Sequence, residues 1–446
     1  MTKLSLSFVS CLCAFGVVAA PAQTPSASPS TAPAAALPFA HESSDLKPDP
    51  AARFGKLPNG VRYVVLPSKE PKARASLRLV VLAGSMHEAD DQRGVAHFLE
   101  HLAFNGSKHY PPGTLIEFFQ RMGISFGGDT NANTGFERTV YLLELARSDE
   151  ATIAEGLRVL SDYAGGLLLL PQEIEKEREI ILSERRARDS VGYRAFVAQY
   201  EAMLGTTLLP KRLPIGVPEV IKGATRERFV DFWDRWYRPE RIALVAVGDF
   251  PDGAAVEKMI TDGLVGLTAR AAAPPEPHLG ELQKFEGNRA FYHFEPEAPS
   301  TEVSLTRLTA HGHEPDTAAN RIERLPRWLA LSILNRRFSI LAKKENAPLI
   351  SGSASVSEHY DFMRLATVSL TCQPPNWQAA LGVGEQELRR ALEFGFTSGE
   401  LKEAAAEMTN GLEQAVKTAS TLRSPQLADL IVHGLVVADV FTTPAD

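Results

Sequence analysis

His97-Phe98-Leu99-Glu100-His101 places two imidazoles and a carboxylate within one short stretch. On a helix, residues four apart share a face and stand about 6 Å apart along the axis. That spacing lets both rings bind one Zn2+, and it sets Glu100 beside any water on the ion. Such a set suits hydrolysis, with a metal-bound water made acidic and a glutamate to take its proton. The order H-x-x-E-H reverses the commoner H-E-x-x-H. A surface helix with two ordinary histidines is the plain alternative, so the surrounding elements decide.

Catalytic zinc usually takes three protein ligands and keeps one position open for water. The third should be a carboxylate or histidine from another helix. The predicted helix 171–190 carries Glu177 and Glu184, two turns apart on the stripe shared by Ile174 and Ile181. A carboxylate on an apolar stripe is costly unless it is paired or holds a metal. Periodicity leaves two readings open for this pair, metal ligation or salt bridging to arginines such as Arg178 or Arg188. His311-Gly312-His313 is a loop pair without a third ligand, and His87 and His109 read as surface residues.

The elements that would position these groups follow from periodicity. Val61–Pro67 and Ser76–Ala83 read as strands, and Arg93–Phe104 as the motif helix, stopped by Asn105-Gly106. Pro112–Met122 reads as a short helix, and Ser125–Asn131 and Phe136–Leu145 as strands. Helices are expected over Glu150–Leu170, Pro171–Ser190, Arg226–Tyr237 and Asp252–Leu264, with a buried strand at Arg241–Gly248. A proline-rich linker at 274–277 precedes a similar pattern. It comprises strands at Arg289–Phe294, Thr301–Leu308, Leu349–Ser357 and Arg364–Thr371, and helices at Asn320–Lys343, Asn376–Phe394 and Ser398–Lys417. Strands that cluster without regular alternation with helices indicate an α+β fold with two similar domains, each a largely antiparallel sheet packed with helices.

The chain has 446 residues, enough for two domains, with 44% hydrophobic and 23% charged residues and a net charge of −7. No basic stripe suited to nucleic acid is present. Lys3 followed by the apolar run Leu4–Ala20 and small residues reads as a signal peptide over 1–22, which implies a secreted or periplasmic bacterial protein. No second span follows, so no transmembrane segment is expected after its removal. Residues 23–50, rich in Pro, Ala and Ser, read as a disordered tether. Cys11 and Cys13 would leave with the signal, so Cys372 has no intrachain disulfide partner. The expected folded domains are 51–270, carrying the metal, and 285–446.

His97–His101 followed by Ala103-Phe104-Asn105-Gly106-Ser107 resembles the pitrilysin–insulysin family of inverted-motif zinc peptidases, most closely its secreted or periplasmic bacterial branch. Asn131-Ala132-Asn133-Thr134 is similar to that family's edge-strand motif. Glu177–Glu184 resembles its second metal-helix motif, and Tyr237–Glu240 with Val247–Phe250 its later strand. The resemblance implies that Glu184 is the third zinc ligand and that Glu177 supports the catalytic site from behind. It implies Glu100 as general base, backbone capture of substrate at Asn131 and Ala132, and hydrolysis of peptides or unfolded segments. Family members complete the site with an Arg and a Tyr from a catalytically silent half, and Arg337–Ser351 lacks that pair in register. The expectation is a zinc-bearing half that works with a second half, supplied by further chain, a partner polypeptide or a homodimer. The alternative is a non-enzymatic interaction or processing-complex subunit that needs its partner for activity.

Overall fold

A computed structural model describes residues 37–445 except Phe126 and Pro251. The expected signal peptide lies outside the described residues. Strands β1 (Arg53–Lys56), β2 (Arg62–Pro67) and β3 (Ala75–Val81) precede helices α1 (Val95–Leu102) and α2 (Thr114–Arg121). Strands β4 (Thr130–Thr134) and β5 (Thr139–Leu145) follow, then helices α3 (Glu150–Gly165), α4 (Pro171–Arg188), α5 (Val191–Leu204), α6 (Pro218–Gly223) and α7 (Arg226–Trp236). Next come β6 (Ile242–Gly248), α8 (Gly253–Leu264), β7 (Thr301–Ala310), α9 (Ala318–Ala342), β8 (Ser351–His359) and β9 (Met363–Cys372). Helices α10 (Trp377–Phe394), α11 (Ser398–Thr418) and α12 (Ser424–Val437) close the order.

The first sheet runs β1-β2-β6-β3-β5-β4, and every pairing is antiparallel except β2 with β6. Its central strands β3 and β6 are buried at every residue. The pleat sends alternate side chains to opposite faces. Leu77, Leu79, Leu244 and Ala246 therefore face one core with Phe98, Leu99, Ile181 and Phe229. Val80, Ala243, Val245 and Val247 face the other, where α12 lays down Ala428, Ile431 and Val432. A sheet covered on both sides needs strands buried on both faces, which 242–248 meets as a continuous apolar run and 75–81 meets with Ser76 and Arg78 buried and paired on its back face. The second sheet has three strands in the order β7-β9-β8, packed against α9 and α10. This order, with a helix between the first two strands of the sequence, repeats β3-β5-β4 of the first sheet.

Several expectations are corrected. Residues 37–50 do not continue a loose tether. Phe39 is buried against α12, Ser44 Oγ donates to the Asp316 carbonyl, and the Asp49 amide to that of Phe441. Ser125–Asn131 does not form a strand along its length, because the Asp129 carboxylate accepts from both the amide and hydroxyl of Ser125 and closes a turn. β4 begins only at Thr130. Arg289–Phe294 has no strand pairing, and Phe291, Tyr292 and Phe294 are exposed. Helices α5, α6 and α12 come in addition to those expected.

Arg78, fully buried in the middle of β3, joins the two sides of the back core. Its guanidinium meets Glu144 at 2.7 Å and Asp429 of α12 at 3.0 Å. Asp429 is 61% exposed, so water screens much of that pair. Apolar contact should therefore dominate the attachment of α12. Ile431→Ala is expected to cost about 3 kcal/mol of unfolding free energy in urea titrations, by cavity formation. Asp429→Asn should cost less than about 1 kcal/mol. Equal losses for the two variants would contradict this ordering.

Candidate metal centre

α1 is short and almost wholly buried, because Val95, Phe98, Leu99 and Leu102 all enter the front core. Phe98 stacks edge-on against Phe229 of α7 with centroids 4.8 Å apart. Arg178 of α4 lies over the same Phe98 ring at 5.9 Å and donates to the carbonyls of Ile221 and Ala224. Ile174 and Ile181 of α4 are buried alongside. These contacts hold α1 and α4 side by side with their polar faces toward each other.

On those faces the histidine rings stand 4.8 Å apart between centroids. Glu184 Oε2 lies 3.6 Å from His97 Nε2 and 3.4 Å from His101 Nε2. Glu177 sits behind, its Oε1 2.8 Å from His101 Nδ1, while its Oε2 accepts from Asn105 Nδ2 at 2.7 Å. The two glutamates that periodicity could not separate thus meet opposite nitrogens of one ring. Arg188 holds the far oxygen of Glu184 at 2.5 Å. His97 Nδ1 is buried without a hydrogen-bond partner among the described residues. Ligand atoms about 2.0–2.2 Å from a tetrahedral ion stand about 3.3–3.6 Å from one another. The 3.4 and 3.6 Å separations, and a donor set of two imidazoles and one carboxylate, therefore fit Zn2+.

Glu100, only 6% exposed, lies on the same helix face and accepts from Thr134 Oγ1 of β4 at 2.5 Å. Burial pushes its carboxyl up to about 7, against the pull of that hydrogen bond. A carboxyl in that range suits proton transfer near neutrality. β4 is the terminal strand of the sheet, and its outer edge has no strand partner among the described residues. Asn131 is exposed there, and its own Oδ1 accepts from the Ala132 amide. In the sequence Thr134 and Asn105 stand out only as letters of the family motifs. Their polar types directly beside the metal helix and on the edge strand are the signal that could have found them.

Burial lowers the His101 pKa, but its bonds to Glu177 and Glu184 prevail and raise it to about 9. The bond to His101 draws Glu184 down to about 2 despite its burial. His97 falls to about 4, through burial and then the charge on His101. In the protein chain by itself, one proton therefore rests on His101 between two carboxylates.

Other histidines settle differently. His87 is not a surface residue: its side chain is 6% exposed, stacks on Trp236 at 4.5 Å, and is pushed down to about 3 by burial. His109 is partly exposed and pairs with Asp162. His311 approaches Glu314 and Glu358, but Arg324, Arg327 and Arg364 already neutralise those carboxylates.

Two sheets of largely antiparallel strands, with a helix-borne histidine pair facing a glutamate of a neighbouring helix, define the architecture of the inverted-motif metallopeptidases. Residues 63–204 match Insulinase (Peptidase family M16) and residues 223–408 match the Peptidase M16 inactive domain. The chain belongs to this insulinase, or pitrilysin-like, family. It is 38% identical over 216 residues to the "Probable zinc protease PqqL" of Haemophilus influenzae, covering 48% of this chain and 23% of that protein. It is 27% identical over 418 residues to the chloroplast stromal processing peptidase of Pisum sativum, covering 80% of this chain and 32% of that protein. The crystal structure of the first half of the periplasmic protease PqqL from Escherichia coli superposes with a TM-score of 0.79 at 26% identity, covering 90% of this chain and 85% of that one. The chain covers 44% of the full-length PqqL structure. No helix among the described residues is long and apolar enough to cross a membrane.

The proton on His101 has a consequence for pH. Its raised pKa means that its ion pairs stabilise the zinc-free chain below about 6.5 and are lost as pH rises through about 9. Zinc needs the neutral ring, so its binding strengthens in the opposite direction. The thermal-shift gain on adding Zn2+ should be larger at about pH 8.5 than at about pH 6. A gain independent of pH would contradict the protonated His101.

Proposed function

We propose that this chain is the zinc-bearing half of a metalloendopeptidase that cleaves peptides or unfolded protein segments. The observation that carries the reading is the convergence of His97 Nε2, His101 Nε2 and Glu184 Oε2, with Glu100 buried on the same face. His97, His101 and Glu184 hold the ion. Bound Zn2+ supplies a water of lowered pKa and polarises the scissile carbonyl.

The chain's own groups do the rest. Glu177 fixes the orientation of His101 through Nδ1, and Asn105 fixes Glu177. Glu100 accepts a proton as general base and returns it to the departing amine. Thr134 ties Glu100 to β4, so the group that moves the proton is held by the strand that receives substrate. An extended peptide adds to the free edge of β4 at Asn131 and Ala132 through backbone hydrogen bonds, which tolerates many side-chain sequences. Its relatives named zinc protease and processing peptidase support this reading. So does the E. coli protease PqqL, solved both as a first half and whole, for the idea of a clamshell completed by a second half. A periplasmic location rests on the signal-like N-terminus and on that periplasmic relative.

Glu100→Gln should keep one zinc per chain and lose peptide cleavage by about 10²-fold or more. His101→Ala should lose both the metal and the activity. Metal analysis beside a quenched-fluorescence peptide assay, run with and without a second half, reads both effects. Cleavage persisting in Glu100→Gln would remove that residue from the base role. Zinc and cleavage retained in His101→Ala would overturn the metal centre.

A further inference from the structure

α1 starts without a cap of its own. Its first flanking residue is Gly94, at φ +103°, which has no side chain to receive the free amides of the first turn. Those amides point instead at Glu88, six residues upstream. Gly94 N–H donates to both carboxylate oxygens at 3.0 Å, and Ala96 N–H to Oε1 at 2.8 Å. Glu88 is 4% exposed, so these bonds are shielded from water. The next residue along the helix is His97, and Glu100 lies one turn further.

Glu88 is itself anchored. Its carbonyl accepts from Arg212 Nε at 3.0 Å, the Arg212 guanidinium also holds Asp90 at 2.9 Å, and the Arg212 carbonyl accepts from Ser85 Oγ at 2.6 Å. Gly94 packs backbone to backbone on Gly216, where a Cβ on either residue would collide with the other. The Gly216 carbonyl in turn lies 3.5 Å from Arg185 Nε, next in sequence to Glu184. The start of α1 is thereby tied to the helix that brings the third ligand. A carboxylate facing a helix N-terminus is also favoured by the helix dipole, which offsets part of the cost of burying it.

We propose that Glu88 is a positioning residue for the metal centre, its carboxylate standing in for the missing cap of α1 and setting the depth and rotation of His97 and Glu100. This inference rests on the zinc peptidase reading above. Glu88→Gln keeps an oxygen where Oε1 accepts both amides, whereas Glu88→Ala leaves both amides buried without an acceptor.

The test loads the parent and each variant with Co2+ and records the d–d absorption spectrum, then measures zinc affinity by chelator competition and kcat and KM separately. Glu88→Ala should shift the cobalt spectrum, weaken zinc binding by about tenfold and lower kcat by about tenfold, with KM within about twofold. Glu88→Gln should return the parent's spectrum and most of its kcat. Glu88→Ala with the parent's spectrum and zinc affinity, and only a lower Tm, would overturn the positioning role while leaving the peptidase reading intact. Should Glu88→Ala fail to fold, Glu88→Asp, too short to span both amides, must show the same spectral shift, and its absence would overturn the proposal. A parent chain that binds neither ion would overturn the metal reading and this inference together.

Discussion

Everything at the site depends on keeping α1 and α4 at one fixed separation. Glu184 reaches the Nε2 atoms of both histidines, and Glu177 reaches the back of His101, only while the two helices stay in register. Two carboxylates pressed against one imidazole would be expensive if either lacked a partner. The protein meets that cost with Asn105 on Glu177 and Arg188 on Glu184. His101 supplies the remaining positive charge when protonated, and a dication would supply it when metal is bound. The same electrostatic demand thus favours a proton or a metal in turn.

The rest of the fold reads as support for that separation. Burying both faces of the first sheet makes β3 and β6 a stiff floor under α1, and α12 closes the far side. Packing of this kind transmits small displacements and does not absorb them. Phe98, Phe229 and Arg178 fix the lateral distance between the helices, and Thr134 links Glu100 to the edge strand. The centre is therefore held from the floor, the flank and the strand.

Much of this was legible from residue types alone. The pentapeptide singles out His97, His101 and Glu100, because a four-residue spacing puts both rings on one helix face with that carboxylate beside them. Glu177 and Glu184 stayed ambiguous because a seven-residue spacing puts both on one stripe, and only the approach of α4 to α1 tells front from back. α5 escaped because most of its side chains are only half-buried, Leu204 excepted, so no apolar stripe marks it. The placement of residues 37–50 and of α12 could not be read locally, since α12 packs on β3 and β6, far away in sequence, and residues 37–50 are fastened to α12, Asp316 and Phe441. The apolar run at β6 is the available hint, for a strand apolar on both faces requires two covers. At 125–131 strand propensity lost to turn chemistry, where Asp129 binds Ser125.

The ligand set proposed for the ion is His97, His101 and Glu184, and not Glu177. Anomalous diffraction at the zinc edge from crystals of the zinc-loaded chain measures this directly. The expected result is one ion about 2.0–2.2 Å from His97 Nε2, His101 Nε2 and a Glu184 oxygen, with Glu177 still on His101 Nδ1. An ion bound by Glu177, or lying away from both imidazoles, would contradict it.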